Sequence, residues 1–140
     1  MKIVLNKCYG VFGLSLLAQK EYLKAKGKEA FFYKLTKFDF EEGISEYKRL
    51  DDVESVDSFS INTITKDLGK TISKLPDKEY WYHGDIERTD PDLVAIVERL
   101  GKKANGWAAE LEIVDIPDGI EYTIEDYDGI ETVEEEHRSW

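Results

Sequence analysis

A glycine-containing loop at residues 10–15 lies between a predicted strand and a predicted helix. Its glycines leave room for a phosphate close to the backbone, and the first amides of the following helix point the positive end of the helix dipole at that place. The residues of this candidate phosphate site are Lys7, Tyr9, Gly10, Gly13 and Ser15. The loop matches neither the Walker motif nor the three-glycine dinucleotide fingerprint. The alternative therefore stays open that the glycines serve only the turn.

Two arginines could add phosphate contacts to such a site. Arg88 lies just before a predicted helix, and Arg138 lies close to the end of the sequence. A guanidinium binds phosphate through two parallel hydrogen bonds, which makes arginine well suited to this role. The alternatives are that Arg88 pairs with Asp85 or Asp90, and that Arg138 pairs with a neighbouring glutamate.

Two tryptophans could stack on a nucleotide base. Trp81 belongs to an aromatic segment in which alternation places it on one strand face with His83, while Tyr80 and Tyr82 share the other face. Trp140 ends the sequence and could close over a ligand as part of a clamp. The alternatives are that one face of the aromatic segment belongs to the core and that Trp140 anchors against the sheet.

Catalysis has less support in the sequence than binding. Thiol chemistry would need Cys8 to meet His83 or His137 together with an aspartate, and nothing in their spacing brings these residues together. A lone cysteine at the end of a strand is typically a small core residue. Neither a catalytic residue nor a metal site nor a cofactor is predicted, and the chain is not expected to be an enzyme.

The clearest secondary structure is a helix followed directly by a strand. Thr89 or Asp90 can cap this helix, and Asn105 with Gly106 is predicted to end it. Apolar residues recur inside it at helical spacing at Leu93, Ile96, Val97, Leu100 and Ala104. Residues 107–116 then alternate as in a strand with one buried face. The helix and this strand are expected to share one core.

The other elements follow from weaker patterns. Residues 1–9 predict a first strand, and a helix capped by Ser15 and ended by Gly27 follows. Asp128 and Gly129 indicate a β-hairpin. Further strands are predicted at residues 30–35, 59–64, 79–83, 120–125 and 130–133. The resulting fold class is α+β, with two helices packed on one face of a mostly antiparallel or mixed β-sheet in a single domain of residues 1–140.

Charge is distributed unevenly along the 140 residues, whose net charge is -11. Residues 1–38 carry +6, residues 39–106 carry -6, and residues 107–140 carry -11. The basic end could attract phosphates, whereas the acidic end would repel nucleic acid. Direct nucleic-acid binding is therefore not predicted. No apolar run is long enough to cross a membrane and no signal peptide is recognised, so a cytoplasmic location without membrane contact is expected.

The sequence resembles a family of small, mostly uncharacterised proteins encoded by bacteriophages and prophages. The resemblance covers nearly the whole length and rests on Lys-Cys-Tyr-Gly at 7–10, Asp-Leu-Gly at 67–69, Asp-Pro-Asp-Leu-Val at 90–94, Ala-Asn-Gly at 104–106, Ile-Val-Asp-Ile-Pro-Asp at 113–118, Tyr-Asp-Gly at 127–129 and His-Arg-Ser-Trp at 137–140. The first loop departs from the family pattern, since Gly-Val-Phe-Gly stands at 10–13 where the family more often has Gly-Gly-Phe-Ser. This departure weakens any role that needs a bare backbone at Val11 or a hydroxyl at Gly13.

The resemblance implies an accessory protein that inhibits host defence from within the host cell. One hypothesis is a non-enzymatic sponge that sequesters a nucleotide-derived signal, with pocket residues that could come from two subunits of a homo-oligomer. The alternative is an acidic inhibitor that binds a host defence or nucleic-acid-binding protein through its C-terminal half. In that hypothesis the apolar anchors are Tyr122, Tyr127 and Trp140.

Overall fold

A computed structural model describes residues 1–53 and 56–135 of the chain. In chain order the helices and strands are β1 (Lys2–Asn6), α1 (Leu16–Ala25), β2 (Phe31–Asp39), β3 (Ile44–Leu50), β4 (Ile61–Ile64), β5 (Thr71–Ile72), β6 (Tyr80–Trp81), α2 (Pro91–Leu100), β7 (Leu111–Asp115), β8 (Thr123–Tyr127) and β9 (Ile130–Glu134). Short 3₁₀ turns follow β6 at His83–Asp85 and α2 at Gly101–Ala104. The predicted α+β class is confirmed.

The strands of the described residues form three antiparallel sheets, where the sequence predicted one. The first sheet pairs β1 with β7, the second has the order β5-β3-β2-β4-β6, and the third pairs β8 with β9. Every strand pairing in the described residues is antiparallel, which agrees with the antiparallel alternative of the predicted mostly antiparallel or mixed arrangement. Strand order could not be predicted because it is set by contacts between segments far apart in the sequence.

Strand β1 is buried on both faces and lies at the centre of the core. Val4 faces the two helices, where it packs with residues of α1 and α2 such as Ala18 and Leu93. Ile3 and Leu5 face the opposite side and pack under the β8–β9 hairpin. The alternation of side chains along a strand therefore puts the helices on one side of the β1–β7 sheet and the third sheet on the other. The expected shared core of α2 and β7 is confirmed.

The helix starts agree with their predicted caps. The Ser15 hydroxyl accepts a hydrogen bond from the Ala18 amide at 3.1 Å, and Asp90 accepts one from the Asp92 amide at 2.9 Å. The predicted end of α2 at Asn105 is wrong. Gly101 takes a left-handed φ of 57°, which ends the α-helix four residues earlier and leaves Gly101–Ala104 as a 3₁₀ turn.

Two hairpins differ in how well the sequence revealed them. The β8–β9 turn is confirmed, because Asp128 and Gly129 both have positive φ, at 50° and 94°, as a two-residue turn with the right twist requires. The β2–β3 hairpin was not predicted. Its turn contains several polar and aromatic residues, and β3 lacks a clear buried face, so no regular hydrophobic pattern marks it.

Neither helix in the described part of the chain is long and apolar enough to cross a membrane.

Candidate functional site

The glycine loop at residues 10–15 is held against other parts of the backbone. The amide of Gly10 donates to the carbonyl of Asp128 at 3.1 Å, and the amide of Val11 donates to the carbonyl of Ala108 at 2.9 Å. The amide of Ser15 donates to the carbonyl of Ala104 at 2.9 Å. Three amides of the loop are therefore occupied within the fold, which supports the alternative that this loop is structural.

Close backbone approach explains why glycine stands at position 10. A Cβ placed there would lie 2.1 Å from the carbonyl oxygen of Ala108, which is far inside contact distance. Gly129 packs on the other side, since its own Cβ would lie 1.8 Å from the carbonyl oxygen of Gly10. Gly13 is buried, and its carbonyl accepts from the amide of Gly106 at 2.9 Å. The glycines thus allow the loop to contact two distant segments.

The side chains predicted to surround the phosphate are also engaged or turned outward. Lys7 donates from Nζ to the carbonyl of Glu131 at 2.7 Å. The single hydroxyl proton of Ser15 is donated to the carbonyl of Lys103 at 2.6 Å while the same oxygen caps α1. Tyr9 is exposed beside the loop. The Ser15 hydroxyl therefore caps α1 and links it to the 3₁₀ turn that contains Lys103. Because its one proton is already donated, this hydroxyl cannot donate a hydrogen bond to a ligand.

Arg88 is paired inside the protein with a partner the sequence did not suggest. Its Nη1 and Nη2 donate to Oε1 and Oε2 of Glu131 at 2.6 and 2.9 Å. The guanidinium carbon lies 3.5 Å from the ring centre of Phe12, as in a cation–π contact. The predicted pairing with Asp85 or Asp90 is wrong. Both terminal nitrogens of the guanidinium donate to the Glu131 carboxylate, which argues against Arg88 as a phosphate ligand.

A buried asparagine completes the polar network around this ion pair. The side chain of Asn6 donates to the carbonyl of Gly129 at 2.8 Å and accepts from the amide of Glu110 at 2.8 Å. Its backbone amide donates to Oε1 of Glu131 at 2.7 Å. Buried polar groups are stable when each one is satisfied in this way. The network fastens the β8–β9 hairpin to β1 and so has a structural role.

The aromatic segment at 79–83 divides as alternation predicts. Trp81 is partly buried and packs on Tyr22 with 5.8 Å between ring centres, whereas Tyr80 and Tyr82 are exposed. Trp81 therefore packs against the core and is not presented for stacking on a base. Arg138 and Trp140, the other predicted contacts, lie outside the described residues.

Among the described residues, no hydrogen bond joins Cys8 to His83, and His137, the other histidine considered, lies outside the described residues. Cys8 is half-buried, and its thiol lies 3.4 Å from Oδ1 of Asn6. His83 lies instead beside Gly13 and Phe12. Burial lowers the pKa of His83, a hydrogen bond to the backbone of Phe12 opposes this effect, and the charge of Arg88 adds to the lowering. Across residues 1–53 and 56–135, no group of three or more His, Cys, Asp or Glu is placed to hold a metal ion.

A different pocket combines positive charge with an exposed aromatic surface. We call it the lysine–tryptophan pocket; it is an open depression of about 290 Å³ beside the start of α1. It is lined by Ser15, Val56, Asp57, Ser58, Lys102, Lys103, Asn105 and Trp107. These residues come from three separate segments of the sequence, which the fold brings together next to the glycine loop.

The aromatic wall of this pocket is an edge-to-face pair. The rings of Trp107 and Phe59 lie 4.7 Å apart between centres and are inclined at 68°. Trp107 is 59% exposed and Phe59 is 55% exposed, so neither belongs to the core. A hydrogen bond from the Trp107 amide to Oγ of Ser58 at 3.0 Å fixes the backbone at the base of the indole. A rigid indole with solvent access is suited to stacking on a flat ligand.

The polar wall of the pocket supplies hydrogen-bond donors. Lys102 and Lys103 are exposed, and no carboxylate of the described residues lies within ion-pair distance of either ammonium. The Ser58 hydroxyl accepts from the Trp107 amide and so retains its own proton to donate. Asn105 accepts from the Leu111 amide through Oδ1, which leaves its amide group as a donor. Asp57 is the one acidic residue among the lining residues.

Lys102, Lys103 and Trp107 lie close together in the sequence, but the local pattern does not predict this site. The predicted helix that ends at Asn105 includes Lys102 and Lys103, and the predicted strand of residues 107–116 begins at Trp107. Because α2 ends at Gly101, these residues lie instead in a 3₁₀ turn and a loop, where their side chains reach the surface. The contribution of Ser58 and Phe59 depends on long-range contacts that no local pattern shows.

Comparisons of the chain with models of protein families, with curated proteins and with solved structures found no match.

Proposed function

We propose that this chain is a non-enzymatic binding protein that sequesters a nucleotide-type anion in the lysine–tryptophan pocket. The observation that carries the proposal is the position of the exposed Trp107–Phe59 pair beside Lys102 and Lys103. Lysine binds phosphate as a point charge, and aromatic stacking on a base contributes about 1–3 kcal/mol per base. The sponge function is kept as the proposal, and its site lies beside the glycine loop, with Ser15 common to both.

The charge of the whole chain makes this patch distinctive. The net charge is -11, so an anion approaching most of the surface would be repelled. Lys102 and Lys103 outnumber Asp57 in the pocket, and the positive end of the α1 dipole adds to their field. Asp57 is partly engaged in a turn, where Oδ1 accepts from the Phe59 amide at 3.0 Å. An anionic ligand is therefore favoured here over the acidic parts of the surface.

The proposed setting comes from the resemblance to phage proteins. A phage-encoded accessory protein in the host cytoplasm would inhibit defence by lowering the free concentration of a signal nucleotide. Such a protein needs tight binding and no chemistry, which agrees with a pocket built from lysines, hydroxyls and an indole. Oligomerisation could enclose the ligand further, because the pocket is open on one side.

A thermal-shift screen with purified protein tests the proposal. The panel contains cyclic mononucleotides, cyclic dinucleotides and ADP-ribose, and a ligand at 100 times its Kd should stabilise the protein by about 2.7 kcal/mol. The variants Trp107→Ala and Lys102→Gln/Lys103→Gln should abolish the shift. The matched control is Lys24→Gln/Lys28→Gln, which removes two exposed lysines elsewhere on the surface. Absence of a shift with every nucleotide, or an equal shift in the pocket variants, would contradict the proposal.

The second candidate function is an acidic inhibitor that binds a host protein through the C-terminal half. It is favoured by Tyr127, which is 72% exposed among the acids of β8. The Tyr122 side chain packs against the core, and the Glu131 carboxylate forms an ion pair with Arg88. Both side chains are therefore less available for binding a partner than the sequence alone indicates. Replacing Glu125 and Asp126 with lysine should weaken binding to a purified host nucleic-acid-binding protein. An unchanged affinity would remove this candidate.

A further inference from the structure

The outer half of the β2–β3 hairpin projects beyond the five-stranded sheet. Strand β4 pairs only with residues 31–34 of β2, and β5 pairs only with Tyr47 and Lys48 of β3. Within the described residues, the pairs beyond them, from Lys37 with Glu46 to Asp39 with Ile44, have no third strand, and one side-chain hydrogen bond, from the Ser45 hydroxyl to the carbonyl of Ser73 at 2.7 Å, ties this part to the segment after β5. All residues from 34 to 44 are exposed. A two-stranded arm with so little support from the sheet is only marginally stable by itself.

Large apolar side chains cluster on this arm. Phe40 is 86% exposed and Phe38 is 64% exposed, and their rings lie 6.5 Å apart between centres. Leu35 and Ile44 add two further exposed apolar side chains. Burying such side chains is favourable, and contiguous exposed apolar surface commonly marks an interaction site. The arm thus exposes apolar surface whose burial against a partner would favour binding.

A β-bulge at Thr36 determines the face of the hairpin on which these side chains lie. Pairing shifts by one residue between Leu35 and Lys37, and Thr36 Oγ1 donates to the carbonyl of Glu46 at 3.2 Å. Since Leu35 faces Tyr47 and Phe38 faces Ser45, the shift puts Leu35 and Phe38 on the same face of the hairpin. An unbroken ladder would have put them on opposite faces. The bulge therefore gathers apolar surface on one side of the arm.

The backbone at the tip of the hairpin is held by hydrogen bonds within the chain. Oδ1 of Asp39 accepts hydrogen bonds from the amides of Glu41 and Glu42, both at 3.1 Å, and Gly43 closes the turn with a φ of 66°. A rigid tip loses little conformational entropy on binding. The side chains of Glu41 and Glu42 meet no basic group of the described residues at ion-pair distance. An aromatic tip therefore carries unneutralised negative charge.

We propose that this hairpin tip docks a protein surface in which an apolar pocket is rimmed by lysines and arginines. Phe40 and Phe38 would enter the pocket, and Glu41 and Glu42 would pair with its rim. Charge complementarity selects this occupant: an anionic membrane would repel the acidic tip, and a second copy of this chain would bring another charge of -11. The proposal does not depend on the lysine–tryptophan pocket.

The experiment uses the full chain with a photo-crosslinking phenylalanine analogue at position 40, expressed in the cells in which the chain is naturally made. The same analogue at Tyr80 is the control for an exposed aromatic position outside the arm. The proposal requires a crosslinked protein from position 40 that is absent from the control, and that protein is then purified for direct binding. A crosslink to a second copy of the chain, a crosslink to lipid, or no crosslink above the control would overturn it.

Direct binding then separates the two parts of the proposal. Phe38→Ser/Phe40→Ser should weaken affinity for the purified partner by roughly 30-fold or more, as at an interface hot spot. Glu41→Lys/Glu42→Lys should also weaken it and should reduce its sensitivity to salt. Tyr80→Ser, at an exposed aromatic side chain outside the arm, should leave affinity unchanged. Because the tip is exposed, all variants should keep the wild-type circular dichroism spectrum. Equal affinity of the phenylalanine variant, or no salt dependence in the wild type, would overturn the proposal.

Discussion

The guanidinium of Arg88 and the carboxylate of Glu131 form a bidentate ion pair at 2.6 and 2.9 Å. The side chains are 17% and 6% exposed, respectively, so the pair lies largely out of water. Arg88 leads into α2 and Glu131 lies in β9, and the guanidinium also covers the ring of Phe12 in the glycine loop. Arg88 therefore joins three segments that are distant in the sequence, and removal of the ion pair should lower the stability of the whole fold.

The first prediction concerns this pair. Arg88→Met should lower the free energy of unfolding by about 3–5 kcal/mol, because it leaves the buried Glu131 carboxylate without its partner. Urea denaturation followed by circular dichroism measures the change. The control is Lys2→Met, which breaks the exposed Lys2–Glu98 pair and should cost no more than about 1 kcal/mol. A loss at Arg88 as small as the loss at Lys2 would show that the pair does not fasten the fold.

The sequence predicted those elements whose causes are local. The cap at Ser15, the cap at Asp90 and the turn at Asp128 and Gly129 each depend on residues within a few positions of one another. Such short-range hydrogen bonds and positive φ angles leave a signature in the residue types themselves. The α+β class follows from the order of the elements, because runs of strands are interrupted by only two helices in the described part of the chain. The ends of elements are less secure, as Gly101 illustrates by stopping α2 before Asn105.

The candidate site was beyond local inference for a physical reason. Arg88 has acids close by in sequence, yet its partner is 43 residues away because the fold places β9 beside it. Likewise, Trp107 meets Ser58 across 49 positions. Long-range contacts of this kind reflect the docking of whole elements, so the same residue types could have met other partners. The β2–β3 arm was missed because exposed apolar residues contradict the pattern from which strands are predicted.

The second prediction compares two glycines of the same loop. Gly10→Ala should destabilise the protein by about 1–3 kcal/mol or more, because the new methyl group would lie 2.1 Å from the carbonyl oxygen of Ala108. Gly13→Ala is the matched control, since its methyl group would lie 3.5 Å from Nε2 of His83, an ordinary contact. Thermal unfolding of both variants measures the difference. Equal stability would mean that the loop can move away from Ala108 at no cost.

The third prediction concerns pH and the Asp90 carboxylate. Burial acts to raise its pKa, but hydrogen bonds from Tyr22, from Lys26 and from the Asp92 amide together hold that pKa below the usual 3.8. A carboxyl whose pKa is lower in the folded state stabilises the protein above the unfolded-state pKa. This contribution is lost as the pH falls below about 3.8 towards the folded-state pKa.

Asp90→Asn tests this sign directly, because asparagine keeps the helix cap and removes the charge. The variant should be less stable than the wild type at pH 7, and the difference should shrink as the pH is lowered through 3.8 and below. Urea denaturation at a series of pH values gives the two curves. Tyr22→Phe, which removes one of the hydrogen bonds that lower the pKa, should show a smaller dependence on Asp90 when the two substitutions are combined. A difference between wild type and Asp90→Asn that stays constant from pH 7 to the acid limb would mean that the Asp90 charge contributes nothing to folding.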